Sequence, residues 1–249
     1  MKRFADATIL ITGAASGIGL ATAKHLADQG SARLLLIDRD AAALDAIEIA
    51  GGVERIEGDV CDEHFWITLE PRLDGLTHAV ANAGVSGAGT IDTLTFAEWR
   101  RILGVNLDGA FLTLRAALRT MRAGGAIVAT ASAAGIKPEP GVAAYGASKA
   151  ALIHLVKVAA KEAAPRNIRV NAIAPAGVET PVWDAVPMFA DRAATIGRAA
   201  AFAELAALAT PLKRYATADE IAAQIAFLLS KEAALITGAT LVSDGGYTL

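Results

Sequence analysis

With 249 residues, 54% of them hydrophobic and 20% charged, the chain can bury the core of one large α/β domain or two small ones. The formal net charge of −3 comes without a long run of one sign, which argues against a nucleic-acid surface. A single cysteine, Cys61, excludes an internal disulfide, and the four histidines lack ligand spacing, so we expect no metal site.

Short leucine-rich and β-branched runs alternate with longer runs of helical periodicity along the chain, which is typical of βαβ units and a parallel sheet. The predicted strands are 7–12, 33–38, 53–59, 76–81, 125–131, 168–174 and 239–243. The predicted helices are 17–29, 40–50, 62–73, 96–122, 143–163 and 217–230. Without an internal repeat or linker, residues 1–249 are predicted to form a single doubly wound α/β domain, with seven parallel strands and helices on both faces.

Residues 176–216 interrupt this alternation, because they have a helical pattern but no strand. In an open α/β sheet ligands bind beyond the carboxyl ends of the strands, where long connections commonly act as lids. We expect this insertion to cover a substrate. The alternative is a pair of surface helices that pack on the sheet.

Two features predict a dinucleotide site near the N-terminus. The stretch TGAASGIG, residues 12–19, lies between the first strand and the first helix, where glycines allow close approach of a pyrophosphate to a helix N-terminus. Asp38 ends the second strand, where a carboxylate can bind both ribose hydroxyls and repel a 2′-phosphate. The neighbouring Arg39 could bind a phosphate, but positions 14 and 15 are alanine and add no cation. The pattern therefore favours NAD over NADP, unless the glycines and Asp38 are only turn residues.

Tyr145 and Lys149 are four positions apart in a predicted helix, so both side chains can point into one cleft. A free phenol has a pKa of ~10, and a neighbouring ammonium favours the phenolate that can accept a proton from an alcohol. Ser132, at the end of the fifth predicted strand, could hold the substrate oxygen beside this phenol. Taken alone, the Tyr–Lys pair is more typical of a helix surface without a function.

The motifs occur in an order that resembles the short-chain dehydrogenase/reductase family over essentially the whole chain. They are TGAASGIG, DV (59–60), NAG (82–84), VN (105–106), Ser132, YGASK (145–149), IRVNAIAP (168–175) and ITGATLVSDGG (236–246). The resemblance implies a Rossmann fold and an NAD-dependent enzyme that interconverts a secondary alcohol and a ketone by hydride transfer.

The same resemblance implies roles for individual residues. Tyr145 would be the general acid/base, Lys149 would hold the nicotinamide ribose and lower the phenol pKa, Ser132 would orient the substrate, and Asn106 would anchor a proton-relay water. Asp59 would contact adenine, and Val178 and Thr180 would hold the carboxamide. The full implied cofactor-binding set is Gly13, Ser16, Gly17, Ile18, Gly19, Asp38, Asp59, Val60, Asn82, Ala83, Gly84, Tyr145, Lys149, Pro175, Val178 and Thr180.

One departure from the family pattern lies beside the expected carboxamide site. The usual Pro-Gly is Pro175-Ala176 here, and glycine follows at position 177. If the turn required a positive φ at position 176, alanine would strain it.

The substrate class is indicated only by the composition of the insertion. Its large apolar residues predict a pocket for a cyclic, aromatic or steroid-like alcohol, although we expect about half of them to face the core. They are Trp183, Val186, Met188, Phe189, Ile196 and Phe202. Two alternatives are a reductase of 3-oxoacyl carrier protein, docked on the arginines of 96–122, and a non-catalytic NAD-binding regulator.

The resemblance also implies a homotetramer or homodimer that uses the helices near 96–122 and 143–163. No apolar run reaches the ~20 residues needed to span a bilayer, and the short N-terminal apolar run lacks a small-residue cleavage site. We therefore expect a cytoplasmic protein with a small-molecule partner and neither a membrane nor a nucleic-acid partner.

Overall fold

A computed structural model describes residues 2–249 as a seven-stranded, wholly parallel sheet with the strand order β3-β2-β1-β4-β5-β6-β7. The strands are β1 (Thr8–Thr12), β2 (Arg33–Asp38), β3 (Val53–Glu57), β4 (His78–Ala81), β5 (Ala126–Thr130), β6 (Arg169–Pro175) and β7 (Thr240–Ser243). The helices are α1 (Gly17–Asp28), α2 (Ala41–Asp45), α3 (Glu63–Leu69), α4 (Phe96–Leu103), α5 (Ala110–Thr120), α6 (Ala143–Ala163), α7 (Pro187–Ile196), α8 (Arg198–Ala209) and α9 (Ala218–Leu229).

The central strands are mostly apolar because helices cover both faces of the sheet. In β1, Leu10 packs into the core that α3, α5 and α6 share, while Ile9 and Ile11 pack into the core under α1 and α9. This alternation follows from the period of two along a strand. The predicted doubly wound α/β fold, of the Rossmann type, is confirmed.

The strand order places the ligand crevice. The chain runs from β1 outward to β2 and β3, and then returns to place β4 on the other side of β1. Ligands bind beyond the carboxyl ends of the strands at such a reversal. All the predicted site residues are close to this edge of the sheet or to the helices that follow it.

Three predicted helices differ from the observed ones. The helix predicted at 40–50 is observed only as α2, which ends at Asp45. Near this end the Arg55 guanidinium donates hydrogen bonds to the carbonyls of Leu44 and Ile47. The one predicted at 62–73 changes to a 3₁₀ turn at Glu70–Leu73. The long helix predicted at 96–122 contains a π-helical turn at Gly104–Gly109, which separates α4 from α5.

The insertion 176–216 contains a 3₁₀ turn at Pro181–Ala185 followed by α7 and α8. A β-bridge between Val178 and Ala216 closes its base. Its own small core includes Phe189, Phe202 and Tyr215. Within residues 2–249, no helix is both long enough and apolar enough to cross a membrane.

Candidate active site

A cleft of about 720 Å³ opens at the carboxyl edge of the sheet, and it brings nearly all the predicted site residues together. The predicted residues that line it are Gly13, Ser16, Gly17, Ile18, Asp38, Asp59, Val60, Asn82, Ala83, Gly84, Ser132, Tyr145, Lys149, Pro175, Val178 and Thr180. Gly19 and Asn106 are the two exceptions, and both lie directly behind this wall. Among residues 2–249, no three His, Cys, Asp or Glu side chains cluster as a metal site.

The glycine turn packs so closely that side chains would not fit. Gly13 has φ +65°, and a Cβ there would lie 2.8 Å from the Cα of Ala83. A Cβ on Gly19 would lie 2.0 Å from the carbonyl oxygen of Gly13. These two glycines let β1, α1 and the segment after β4 meet at the cleft floor.

The Asn82 side chain stabilises the floor of the cleft through hydrogen bonds. Its Nδ2 donates to the carbonyls of Thr12 and Gly13 at 3.1 and 3.2 Å, and its Oδ1 accepts the Thr130 hydroxyl at 3.1 Å. The sequence predicted only that the backbone of this segment would line the cleft. The structure adds that its amide ties the ends of β1, β4 and β5 together.

Asp38 is held in the cleft by two backbone amides. Its Oδ2 accepts the N–H of Ala15 at 3.0 Å and its Oδ1 accepts that of Asp40 at 3.2 Å. Arg39 lines the same end of the cleft. Asp59 follows β3 nearby, where its Oδ1 accepts the N–H of Cys61 at 2.9 Å. This end therefore presents fixed carboxylates to a ligand.

Ser132, Tyr145 and Lys149 meet in the middle of the cleft. Ser132 follows β5, and Tyr145 and Lys149 are in the first two turns of α6. Lys149 is 3% exposed, and its ammonium donates to the carbonyl of Thr130 at 2.8 Å. Burial lowers the pKa of Lys149 to about 8. The pKa of this amine therefore lies closer to neutral pH than that of an exposed lysine.

Burial raises the pKa of the Tyr145 phenol, and the adjacent Ser132 hydroxyl acts in the opposite direction. The prediction that Lys149 lowers this pKa stays a prediction. The Lys149 ammonium is 5.8 Å from the centre of the Tyr145 ring and is turned toward Thr130.

Asn106 lies in the π-helical turn, fully buried behind the cleft. Its Oδ1 accepts the N–H of Val85 at 2.8 Å, while its Nδ2 donates to the Val85 carbonyl at 3.0 Å and to Ser148 Oγ at 3.1 Å. Ser148 donates in turn to the carbonyl of Tyr145 at 2.7 Å. Asn106 thus links α6 to the cleft wall, and the water predicted at this residue stays a prediction.

The segment after β6 reaches the cleft without the strain considered for Ala176. Among residues 2–249, the positive φ angles outside glycine are at Asn167 and Lys213, so the alanine at position 176 needs no left-handed backbone. Gly177 is required for a different reason, because a Cβ there would lie 2.4 Å from the ring of Tyr215.

Comparison with known proteins decides the family. The family model described as enoyl-(acyl carrier protein) reductase matches residues 13–248. The chain is 36% identical to a 3beta-hydroxysteroid dehydrogenase of Mediterraneibacter gnavus, over 100% of this chain and 97% of that protein. The chain belongs to the short-chain dehydrogenase/reductase family.

Two further comparisons agree. A cis-4-hydroxycyclohexanecarboxylate dehydrogenase of Sinomonas cyclohexanicum is 36% identical, over 99% of this chain and 98% of that protein. The crystal structure of a levodione reductase matches with a TM-score of 0.88 and 34% identity, over 99% of both chains. This short-chain dehydrogenase/reductase is therefore an oxidoreductase that acts on CH–OH groups and uses a nicotinamide cofactor.

The cleft of this short-chain dehydrogenase/reductase fits such a cofactor. The glycine turn leaves room that side chains would fill, and a Cβ on Gly17 would lie 3.3 Å from the side chain of Thr180 across the cleft. Asp38 is fixed at one end and Lys149 in the middle. A dinucleotide needs this order of groups along a Rossmann crevice.

Several cleft residues were not predicted from the sequence. Tyr215 comes from the end of the insertion, and Glu139 and Tyr247 lie 108 positions apart but touch through a hydrogen bond. Of the apolar residues predicted in the insertion, Trp183 and Val186 line the cleft. The Asp-Gly-Gly turn after the last strand was the signal that the chain could fold back there.

Proposed function

We propose that this protein is an NAD-preferring dehydrogenase that oxidises a cyclic or otherwise apolar secondary alcohol to a ketone and catalyses the reverse reduction. The observation that carries the proposal is the meeting of the Ser132 hydroxyl and the Tyr145 phenol in a deep cleft, next to a buried cation at Lys149. Such a group of residues can hold an alcohol oxygen and take its proton.

In this mechanism Ser132 donates a hydrogen bond that orients the substrate oxygen, and Tyr145 takes the hydroxyl proton as the carbonyl forms. Bound NAD supplies the hydride acceptor for the carbinol carbon. Lys149 binds the nicotinamide ribose, and its bond to the Thr130 carbonyl fixes the direction of its amine. Asn106 positions α6 through Ser148 and, with an anchored water, connects Lys149 to solvent. In the ketone reduction, the Tyr145 proton goes back to the oxygen.

NAD is the proposed cofactor because Asp38 is fixed at the cleft end by two amide donors. A carboxylate there accepts ribose hydroxyls and repels a 2′-phosphate. Asp59 would contact the adenine amine, and Val178 and Thr180 the carboxamide. Arg39 is the one feature that favours a phosphate, and Asp38 lies beside it.

The apolar wall supports a cyclic substrate. Trp183 and Val186 from the insertion line the cleft with Val142 at the start of α6. Two relatives are named for a hydroxysteroid and a hydroxycyclohexanecarboxylate substrate. We therefore propose an alicyclic alcohol, with the insertion 176–216 as its cover.

The description of the matched family model favours a second candidate, a reductase that acts on acyl groups held by acyl carrier protein. That activity needs a cationic surface for an acidic carrier. Three of the arginines on 96–122 are already paired with acidic side chains, Arg101 with Glu98, Arg115 with Glu63 and Arg119 with Glu70. These pairs reduce the positive field of that face, and we rank this candidate second.

A homotetramer is the proposed assembly, with a homodimer as the alternative. Phe111 on α5 and Val158 on α6 are exposed apolar side chains on the helices expected to pair, and β7 is an open sheet edge. Light scattering with a monomer mass would refute this proposal. We also propose a cytoplasmic location, which cell fractionation tests.

The activity is tested with a panel of secondary alcohols, NAD or NADP, and NADH or NADPH absorbance as the readout. Turnover of alicyclic alcohols with a higher kcat/KM for NAD is the expected result. NADH binding without turnover of any alcohol or ketone would instead favour the non-catalytic regulator.

A further inference from the structure

Beyond the residues predicted from the motifs, apolar side chains and the carboxylate of Glu139 also line the cleft. The apolar side chains include Val142, Val182, Trp183, Val186 and Tyr215. Among residues 2–249, the other acidic residues that line the cleft are Asp38, Asp40 and Asp59, near the ends of β2 and β3. Glu139 is separate from them, in the connection that leads into α6.

The Glu139 side chain is held in place by contacts that use one of its two oxygens. The Tyr247 hydroxyl donates to Oε1 at 2.8 Å. The Lys137 ammonium is 3.6 Å from the same oxygen, donates to the Tyr247 carbonyl at 3.0 Å and lies 4.4 Å from the centre of the Tyr247 ring. Within the described part of the chain, Oε2 of Glu139 accepts no hydrogen bond.

Tyr247 reaches Glu139 because the chain turns back after β7. The Asp244 carboxylate accepts the N–H of Gly246 at 2.9 Å and that of Thr248 at 2.8 Å, which closes the turn. Gly246 has φ +88°, a conformation that glycine adopts without strain. The carboxylate is therefore positioned by two separate segments of the chain, and both its partners are fixed.

We propose that Glu139 determines substrate specificity: its free oxygen accepts a hydrogen bond from a second hydroxyl group on an alicyclic alcohol, and its charge disfavours substrates that are anionic at that end. The proposal rests on the proposed function as an alcohol dehydrogenase. The Glu139 side chain is 38% exposed, so a bound substrate displaces water from its second oxygen, and a substrate without a donor there does not replace the lost hydrogen bond. An ammonium donor is disfavoured because Lys137 already lies beside Oε1.

The test compares kcat/KM for three substrates of one ring size: cyclohexanol, 1,4-cyclohexanediol and 4-hydroxycyclohexanecarboxylate. We expect the unchanged protein to prefer the diol and to use the carboxylate least. In Glu139→Leu the ratio of diol to cyclohexanol falls about tenfold or more, since a hydrogen bond to a charged group is lost. Glu139→Gln keeps the shape of the side chain and removes its charge. In this variant kcat/KM for 4-hydroxycyclohexanecarboxylate rises relative to that for cyclohexanol.

Glu162→Gln, an exposed position near the far end of α6, is the matched control and leaves all three ratios unchanged. If the ratio of kcat/KM for the diol to that for cyclohexanol is the same in Glu139→Leu as in the unchanged protein, the specificity proposal is overturned and the proposed function is not. If the leucine variant does not fold, an unaltered carboxylate ratio in Glu139→Gln overturns it instead. No turnover of any of the three by the unchanged protein would overturn the proposed function, and the specificity proposal with it.

Discussion

The Lys149 ammonium lies 5.8 Å from the centre of the Tyr145 ring, one helical turn along α6, and is held there by its bond to the Thr130 carbonyl. The amine is thus directed by β5 and not by the tyrosine. This separation leaves the phenol beside Ser132 and the ammonium beside the expected ribose. The proposed mechanism therefore gives the two residues of the pair different tasks, although they share a helix face.

Replacing the Tyr145 hydroxyl tests the proton transfer. Tyr145→Phe keeps the ring and removes the acid/base, so we expect kcat to fall at least about 100-fold, the usual size of such a contribution. NADH affinity, measured by fluorescence titration, should stay within a few-fold of its original value because Lys149 and the glycine turn remain. An unchanged kcat in Tyr145→Phe would refute the assignment of Tyr145 as the acid/base.

Neutralising Asp38 tests the cofactor choice. In Asp38→Asn the repulsion of a 2′-phosphate is lost, while a hydrogen-bonding group remains at the end of β2. We expect the ratio of kcat/KM for NAD to that for NADP to fall about tenfold or more. Asp45→Asn, an exposed position on α2 outside the cleft, is the control with the same chemical change. A preference for NADP in the unchanged protein would contradict the assignment.

The sequence predicts the sheet well because most strands are short apolar runs, with the charged β3 (VERIE) as the exception, and each helix has its own period. The π-helical turn at Gly104–Gly109 has no such signal, since it depends on the fit of Gly109 against Val60, where a Cβ would lie 2.6 Å from a Val60 methyl group. The end of α2 depends on Arg55, which arrives from the next strand. Features that depend on a distant partner are not visible in local patterns.

The residues of the site also include some that local motifs predict and some that depend on a distant partner. Ser132, Tyr145 and Lys149 are predictable because they occur in motifs of fixed spacing. Glu139 and Tyr247 are 108 positions apart, and their pairing exists only after the turn at Asp244 has formed. The substrate contact proposed for Glu139 depends on this long-range pairing, so the reaction type is easier to predict than the substrate.

The contact between Gly177 and Tyr215 can be tested by adding one methyl group. In Gly177→Ala the new Cβ would overlap the ring of Tyr215, whose atoms lie 2.4 to 2.6 Å from that position. We expect a loss of about 1–3 kcal/mol in the free energy of unfolding and a raised KM, since Tyr215 lines the cleft.

Gly104→Ala is the matched control, because a Cβ added there would have no atom from outside its own helical turn within 4 Å, and its φ is negative. Urea titration of both variants gives the comparison. Equal stability of Gly177→Ala and the unchanged protein would show that the ring of Tyr215 moves aside without cost.

His78 on β4 should make the fold sensitive to mild acid. Burial and the nearby Arg169 lower the pKa of His78 to about 4, and its Nδ1 lies 2.8 Å from the Thr77 hydroxyl. The unfolded chain binds a proton at pH ~6.5, whereas the folded protein does not until about pH 4. Between these values the unfolded state holds more protons, so the free energy of unfolding falls as the pH falls.

This loss from His78 amounts to on the order of 2–3 kcal/mol across the window, at about 1.4 kcal/mol per pH unit. His78→Asn removes the titrating group, so its unfolding free energy should decline less steeply from pH ~6.5 to pH ~4, whatever its starting stability. His64→Asn, at an exposed position on α3, should keep the original slope. Urea titrations across this range measure both slopes, and parallel curves for His78→Asn and the unchanged protein would exclude His78 as the cause.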